Sequence, residues 1–332
     1  MVASLRIKPG HVQPVWAGHP WVYAQAVDRI EGGATRGDEV RVVDPRGNFL
    51  GRGFYSPGSA IVVRIVTRDE HEAIDQHFFK RRIERALALR AQIGLSIDVP
   101  KVAPSAPTSG YRLVHAEGDG IPGLVVDRMD DVLAVQLLTF GMHVREALVL
   151  GALAEVMRPR AIVDRTPESV KKTENFSPQG GALRGVLPDE LVFRERGLVF
   201  RIPLDIGQKT GFYFDQRALR ARVEELARGA RVLDAYSYVG AFGLAAARGG
   251  ASEVVSVDES ALALEIGAAA ARENGVADRM TWVVRDARKV MQEAHGAFDL
   301  VVCDPPRLAP TRSAREQALV QYTKIAELAC RS

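Results

Sequence analysis

The 332-residue chain has only two cysteines, Cys303 and Cys330, both near its C-terminal end and far from any histidine pair at metal spacing. Neither a disulfide framework nor a metal site is supported, and a reducing cytoplasm is the expected compartment. Long apolar runs are also lacking. The longest, near residues 132–140, is too short for a bilayer, and Arg6 and Lys8 in the first nine residues have no apolar stretch behind them. Neither export nor membrane insertion is expected. No charge of one sign dominates: 44 basic residues stand against 41 acidic ones, for a net charge of +3. That balance permits a polyanionic partner without demanding one. From Arg231 onward 12 basic residues meet 13 acidic ones, so the small basic excess lies upstream. What remains is ordinary globular material, 47% hydrophobic and 26% charged, in a chain long enough for at least two cores.

Residues 1–70 read as short β-segments at 21–27, 39–44, 48–55 and 60–67, with turns at Gly32-Gly33, Pro45-Arg46-Gly47 and Pro57-Gly58. This is the pattern of a small barrel or sandwich. Residues 70–93 turn helical, with Ile74, Phe78, Ile83 and Leu87 on one stripe and Lys80, Arg81, Arg82 and Arg85 largely off it. Such a basic face is either a phosphate footprint or the solvated side of a linker helix. A proline-rich boundary at 100–110 leads to a unit with a hairpin at 124–127 and 133–139, a helix at 143–157 and strands at 161–164, 191–194 and 198–203. After Arg217 helix and strand alternate, with strands expected at 231–234, 253–258, 280–285 and 298–303. That alternation predicts a doubly wound parallel sheet.

The strand ending Val232-Leu233-Asp234 enters the loop Ala235-Tyr236-Ser237-Tyr238-Val239-Gly240 before a helix. A dinucleotide site would want G-x-G-x-x-G here; only Gly240 and Gly243 are present, so a bound pyrophosphate is disfavoured. Asp234 suits instead a cationic group, such as the amino acid end of S-adenosylmethionine, and Gly240 allows close approach of the chain. Asp258, 18 residues beyond Gly240 at the end of the second strand, stands where a ribose diol is usually held, whether of NAD or of S-adenosylmethionine. Asp286 after the third strand suits an adenine amino group or, equally simply, the cap of the next helix. After the fourth strand, Asp304-Pro305-Pro306-Arg307 ends a buried run with a rigid turn that can present Asp304 to a base held beside a methyl donor. Together these four strand ends point to a class I methyltransferase.

Immediately upstream, Gly207-Gln208-Lys209-Thr210-Gly211-Phe212-Tyr213-Phe214-Asp215-Gln216-Arg217 mixes glycines, aromatics and charges. With His19-Pro20-Trp21-Val22, Glu117-Gly118-Asp119-Gly120-Ile121-Pro122-Gly123-Leu124 and Asp304-Pro305-Pro306-Arg307, it makes the chain resemble, over essentially its whole length, the PUA-domain-containing, S-adenosylmethionine-dependent 23S ribosomal RNA cytosine-C5 methyltransferases of the large-subunit I type. The resemblance implies a multidomain α/β protein. Its parts would be a PUA-like RNA-binding barrel (1–70), a linker helix and loop (71–110), a central α+β domain (111–205) and a Rossmann-like class I methyltransferase domain (206–332) that stops after its fourth strand. It further implies ribosomal RNA as partner, S-adenosylmethionine as cofactor, and a donor site at Lys209, Thr210, Phe212, Asp234, Ser237, Gly240, Asp258, Asp286 and Asp304. Family members carry the nucleophilic cysteine in a continuation beyond the position of Ser332.

Cytosine C5 is a poor nucleophile until a thiolate adds at C6. Cys303, inside the fourth strand, reads as buried packing and Cys330 as part of the apolar side of the last helix, so the nucleophile is assigned to neither; Asp304 would have a supporting part. Two alternatives stand beside C5 methylation: transfer to an exocyclic base amine, which needs no cysteine, and an RNA-binding protein whose methyltransferase unit is inactive. The fourth strand is expected on an open edge, which invites pairing with another copy into a homo-oligomer.

Overall fold

The computed structural model describes residues 2–95, 107–204, 211–309 and 312–332. The chain divides into two compact units, residues 1–193 with 203–212 and residues 194–202 with 213–332.

The first unit opens with β1 (Ala3–Ile7), α1 (Gln13–Trp16), β2 (Trp21–Tyr23), β3 (Val27–Glu31), β4 (Glu39–Val43), β5 (Phe49–Tyr55) and β6 (Ile61–Thr67). Among the described residues these strands form a sheet in the order β2-β6-β5-β4-β1-β3, with β1 parallel to β4 and antiparallel to β3. The expected strand 21–27 is in fact β2 and β3 separated by a 3-10 turn at Ala24–Ala26. The apolar faces meet in a core that includes Leu5, Ile7, Val22, Val40, Val42 and Val63.

Next comes α2 (Gln76–Gln92), started by Asp75, whose side chain accepts from the Phe78 backbone N–H. Its buried positions Phe78, Phe79, Ile83 and Ala86 follow the helical period, with Ile74 and Leu87 packed against the same core. The basic face is mostly committed internally: Lys80 pairs with Glu155, and Arg81 and Arg82 share Glu72. Arg82 also lies 4.2 Å over the Phe78 ring and donates to the Gly120 carbonyl. Among the four arginines and lysines named above, Arg85 alone is exposed with no partner among the described residues.

A second sheet follows from β7 (Gly110–His115), β8 (Leu124–Met129), β9 (Val132–Leu137), α3 (Phe140–His143), α4 (Glu146–Met157), β10 (Ala161–Asp164), α5 (Val170–Thr173) and β11 (Gly181–Gly185). Its strand order is β11-β10-β9-β8-β7. The division between units falls within a ribbon of β12 (Glu190–Glu195) and β13 (Leu198–Pro203).

The second unit alternates α6 (Arg217–Leu226), β14 (Arg231–Ala235), α7 (Ala241–Arg248), β15 (Glu253–Asp258), α8 (Ala261–Glu273), β16 (Met280–Val284), α9 (Ala287–Ala294), β17 (Leu300–Cys303) and α10 (Arg315–Arg331). All four strands are parallel, in the order β16-β15-β14-β17. The third, second, first and fourth strands thus lie side by side, and the direction of winding reverses between β14 and β17. In such sheets ligands bind outside the carboxyl ends of the strands at that reversal. No helix among the described residues is long and apolar enough to cross a membrane.

Candidate donor site

The strand β14 is buried because it lies between β15 and β17, and its last residues hand the chain to a tightly wound loop. Tyr236 (φ 62°), Tyr238 (φ 53°) and Gly240 (φ 68°) are all left-handed. For the two tyrosines that conformation costs on the order of 1–3 kcal/mol each, strain of a kind that concentrates at ligand clamps. Hydrogen bonds hold the loop: Ser237 N–H donates to the Val257 carbonyl at 2.9 Å, Gly240 N–H to the Ser237 carbonyl at 2.8 Å, and Tyr238 N–H to Asp258 Oδ2 at 2.8 Å. Glycine is required at 240 twice over, since a Cβ there would also come within 2.5 Å of the Trp282 ring.

Asp234 is 1% exposed, and its Oδ2 accepts the Gly243 N–H at 2.8 Å in the first turn of α7. Its carboxylate sits beneath that helix and anchors it. Burial pushes its pKa up to about 7, against the lowering effect of the Gly243 hydrogen bond. A folded pKa above the ordinary 3.8 means that the folded protein keeps a proton the unfolded chain has released. Stability from this group is therefore full below about pH 4 and is lost as pH rises toward 7, by up to a few kcal/mol. Asp234→Asn, which stays neutral and keeps an acceptor for Gly243, is expected to flatten that decline in melting curves recorded at pH 5 and pH 8. An unchanged difference between the two pH values would refute the assignment.

Asp258 ends β15 and uses both oxygens on backbone, Oδ2 on Tyr238 N–H and Oδ1 on Ser260 N–H at 2.9 Å. Each carboxylate oxygen accepts more than one bond, so acceptor capacity remains. Ser237 Oγ is buried without a hydrogen-bond partner among the described residues. This orphaned hydroxyl and the spare lone pairs of Asp258, beside the left-handed turn at Gly240, fit a ligand that carries a diol and a polar tail.

The remaining residues divide. Asp286 caps α9 through Arg288 N–H and pairs with the Arg288 guanidinium at 2.8 Å, so the capping role weighed for it from sequence is the one seen. Asp304 stands past β17 and accepts from Gln216 Nε2 at 3.3 Å; its carboxyl is pushed upward by desolvation and by Asp215, with Arg220 opposing. Phe212 is buried in the first unit, edge-on to Phe193 at 5.0 Å. Lys209 and Thr210 lie outside the described residues. Cys303 is half-buried against the core formed by Leu233, Val257 and Ile325, and its thiol is pushed up to about 11 by burial and by Asp304. Cys330 corrects the sequence expectation: it is exposed, on the outer side of α10.

Three participants escaped the sequence reading. Trp282 walls the Gly240 turn, Ser256 places beside Gly243 a buried hydroxyl unpartnered among the described residues, and Gln216 reaches Asp304. Gln216 belongs to the Gly207-to-Arg217 segment singled out by composition, the one available signal; the other two have none in the local sequence.

This strand order, with acidic strand ends around a left-handed glycine loop, defines a class I methyltransferase domain. Residues 183–324 match the family of S-adenosylmethionine-dependent methyltransferases, and residues 5–68 match the PUA-like domain. Two relatives called ribosomal RNA large subunit methyltransferase I are similar throughout. The one from Alteromonas mediterranea is 36% identical over 98% of this chain and 81% of its own length. That from Shewanella denitrificans is 37% identical over 98% and 81%. The chain belongs to the ribosomal RNA large subunit methyltransferase I family, whose cofactor is S-adenosylmethionine. Solved structures share the fold. A Streptococcus mutans protein assigned as a SAM-dependent methyltransferase superposes with a TM-score of 0.75 at 20% identity, covering 92% of this chain and 77% of its own. SMU.776, solved with SAH, gives 0.78 at 19%, covering 98% and 83%.

Proposed function

We propose that this chain serves the methylation of a cytosine C5 in 23S ribosomal RNA, with the donor held at the ends of β14 and β15 and the target base beside Asp304. The observation that carries the reading is the clustering, around the sheet's winding reversal, of Asp258, the Ser237-to-Gly240 loop and the Asp304-Pro305-Pro306 turn. Asp258 would take the ribose and Ser237 and Gly240 the amino acid end, with Asp234 keeping α7 in place beneath them. When bound, S-adenosylmethionine supplies an activated methyl group. Asp304, which accepts from Gln216, would take a bond from a cytosine amino group and hold the ring.

C5 chemistry needs a thiolate at C6. Cys303 is a poor source, since a thiol pushed to about 11 is almost wholly protonated near neutral pH. Cys330 is exposed on the exterior of α10. The thiolate is therefore assigned to neither cysteine. Deleting the gene should remove one 5-methylcytosine from 23S ribosomal RNA, read by mass spectrometry of its nucleosides, and a plasmid copy carrying Cys303→Ser should restore it. Loss of an N4-methylcytosine instead would establish the amine reading. Restoration abolished by Cys303→Ser would make Cys303 the nucleophile.

A further inference from the structure

The Glu117-Gly118-Asp119-Gly120 segment has no part in the donor site, yet the first unit fixes it from three directions. It forms a 3-10 turn (Ala116–Asp119). Asp119 receives the Arg90 guanidinium of α2 at 2.7 Å and the His115 N–H at 2.6 Å, and the Gly120 carbonyl receives Arg82 at 2.6 Å. From the barrel side, the Trp21 indole N–H donates to Glu117 Oε1 at 2.7 Å. Between this turn and the second half of α2 lies a groove of about 520 Å3, lined by Arg85, Leu89, Gln92, Glu117 and Gly118 among others.

Its lining combines what a nucleotide presents. Arg85, without a partner among the described residues, supplies a cation for a phosphate; Gln92, Glu117 and the turn supply donors and acceptors; and Leu89, 46% exposed, supplies apolar surface for a flat ring. Through Glu117 the groove adjoins an aromatic edge of the barrel. There His19 and Trp21 meet edge-on at 5.6 Å, Trp21 and Tyr23 at 6.2 Å, and Tyr23 remains 36% exposed. Aromatic side chains next to basic ones are the usual means of holding unpaired bases. Gly118 adds an independent sign. Its backbone is not left-handed, and a Cβ would meet only His115 Cδ2 at an ordinary 3.5 Å. Neither its conformation nor a neighbour among the described residues requires glycine there; the open groove is what a side chain would fill.

We propose that this groove binds one unpaired RNA nucleotide, its phosphate on Arg85 and an adjoining base on the His19–Trp21–Tyr23 edge. The inference rests on the ribosomal RNA reading above and adds that the first unit grips a single-stranded segment of that substrate.

The test is fluorescence anisotropy of a labelled ten-nucleotide single-stranded RNA and of its duplex, with wild type, Gly118→Phe and Arg85→Glu. Gly118→Phe fills the groove without changing charge and should weaken single-strand binding roughly tenfold, with the salt dependence unchanged. Arg85→Glu, at an exposed position with no partner among the described residues, should weaken it comparably and make the salt dependence shallower. Binding of S-adenosylhomocysteine by calorimetry should be the same in all three, which reports folding and donor-site integrity. Wild-type RNA affinity in both variants would overturn the groove while leaving the RNA reading intact. Equal preference for duplex would also overturn it, and no RNA binding by a wild type that binds S-adenosylhomocysteine would overturn both.

Discussion

Glu195→Ala is expected to destabilise the second unit by about 3–5 kcal/mol, the usual cost of leaving one partner of a buried ion pair alone. Glu195 and Arg220 are 3% and 4% exposed and meet through two bonds, Nε to Oε1 at 2.6 Å and Nη2 to Oε2 at 2.8 Å. Arg220 also donates to the Tyr213 carbonyl at 2.9 Å and lies 5.6 Å over the Phe242 ring of α7. The pair therefore ties β12, the segment before α6 and the donor-loop helix together. Scanning calorimetry should show the transition of this unit moved well down in Glu195→Ala. The double variant Glu195→Leu, Arg220→Met should recover much of the loss, because it leaves no charge buried. A single-variant loss below about 1 kcal/mol would refute the account.

Asp258→Ala is expected to weaken S-adenosylhomocysteine binding at least about a hundredfold, since two charge-assisted bonds at roughly 1.5–3 kcal/mol each are at stake. Sequence alone suggests a clean loss of the ribose acceptor. The structure predicts a double loss, because the same carboxylate holds Tyr238 N–H, inside the glycine loop, and Ser260 N–H ahead of α8. The melting temperature should fall along with affinity. Asp258→Asn, which keeps one acceptor oxygen, should sit between the two. Equal calorimetric affinity of wild type and Asp258→Ala would remove Asp258 from the donor site.

The second unit was the more legible half, for a physical reason. Parallel strands flanked by helices read as short apolar runs, so Val232-Leu233 and Val254-Val255 in the central strands, and Leu300-Val301-Val302 in the edge strand β17, stand out, each closed by aspartate or proline. The order of those strands is a matter of packing and is absent from the local pattern. In the first unit β1 escaped notice although Ala3, Leu5 and Ile7 alternate inward, because the segment is only five residues long. The strand β11 carries no apolar stripe at all: its burial is mostly exposed, and it exists through its register with β10. At the site, acidic residues at strand ends were readable as a set. Their individual partners were not, because whether Asp234 turns under α7 or Asp286 folds onto Arg288 depends on side-chain direction and on neighbours the one-dimensional pattern does not contain. Likewise, four basic residues on α2 looked alike until their acidic partners at 72 and 155 singled out Arg85.

The ring that bars a side chain at Gly240 bars one at Gly267 as well, where a Cβ would come within 2.5 Å of Trp282. Trp282 is thus wedged between the start of α7 and the middle of α8, against the loop assigned to the donor. It is also the sole tryptophan of the second unit, since Trp16 and Trp21 belong to the first. The protein consequently carries its own optical labels, one chromophore addressed to the donor loop and two to the barrel. With Trp16 and Trp21 replaced by phenylalanine, the emission of the chain becomes a signal from the donor loop alone; with Trp282 replaced, it becomes a signal from the barrel. Occupancy of the two halves can then be followed separately, each in its own variant and without an attached dye.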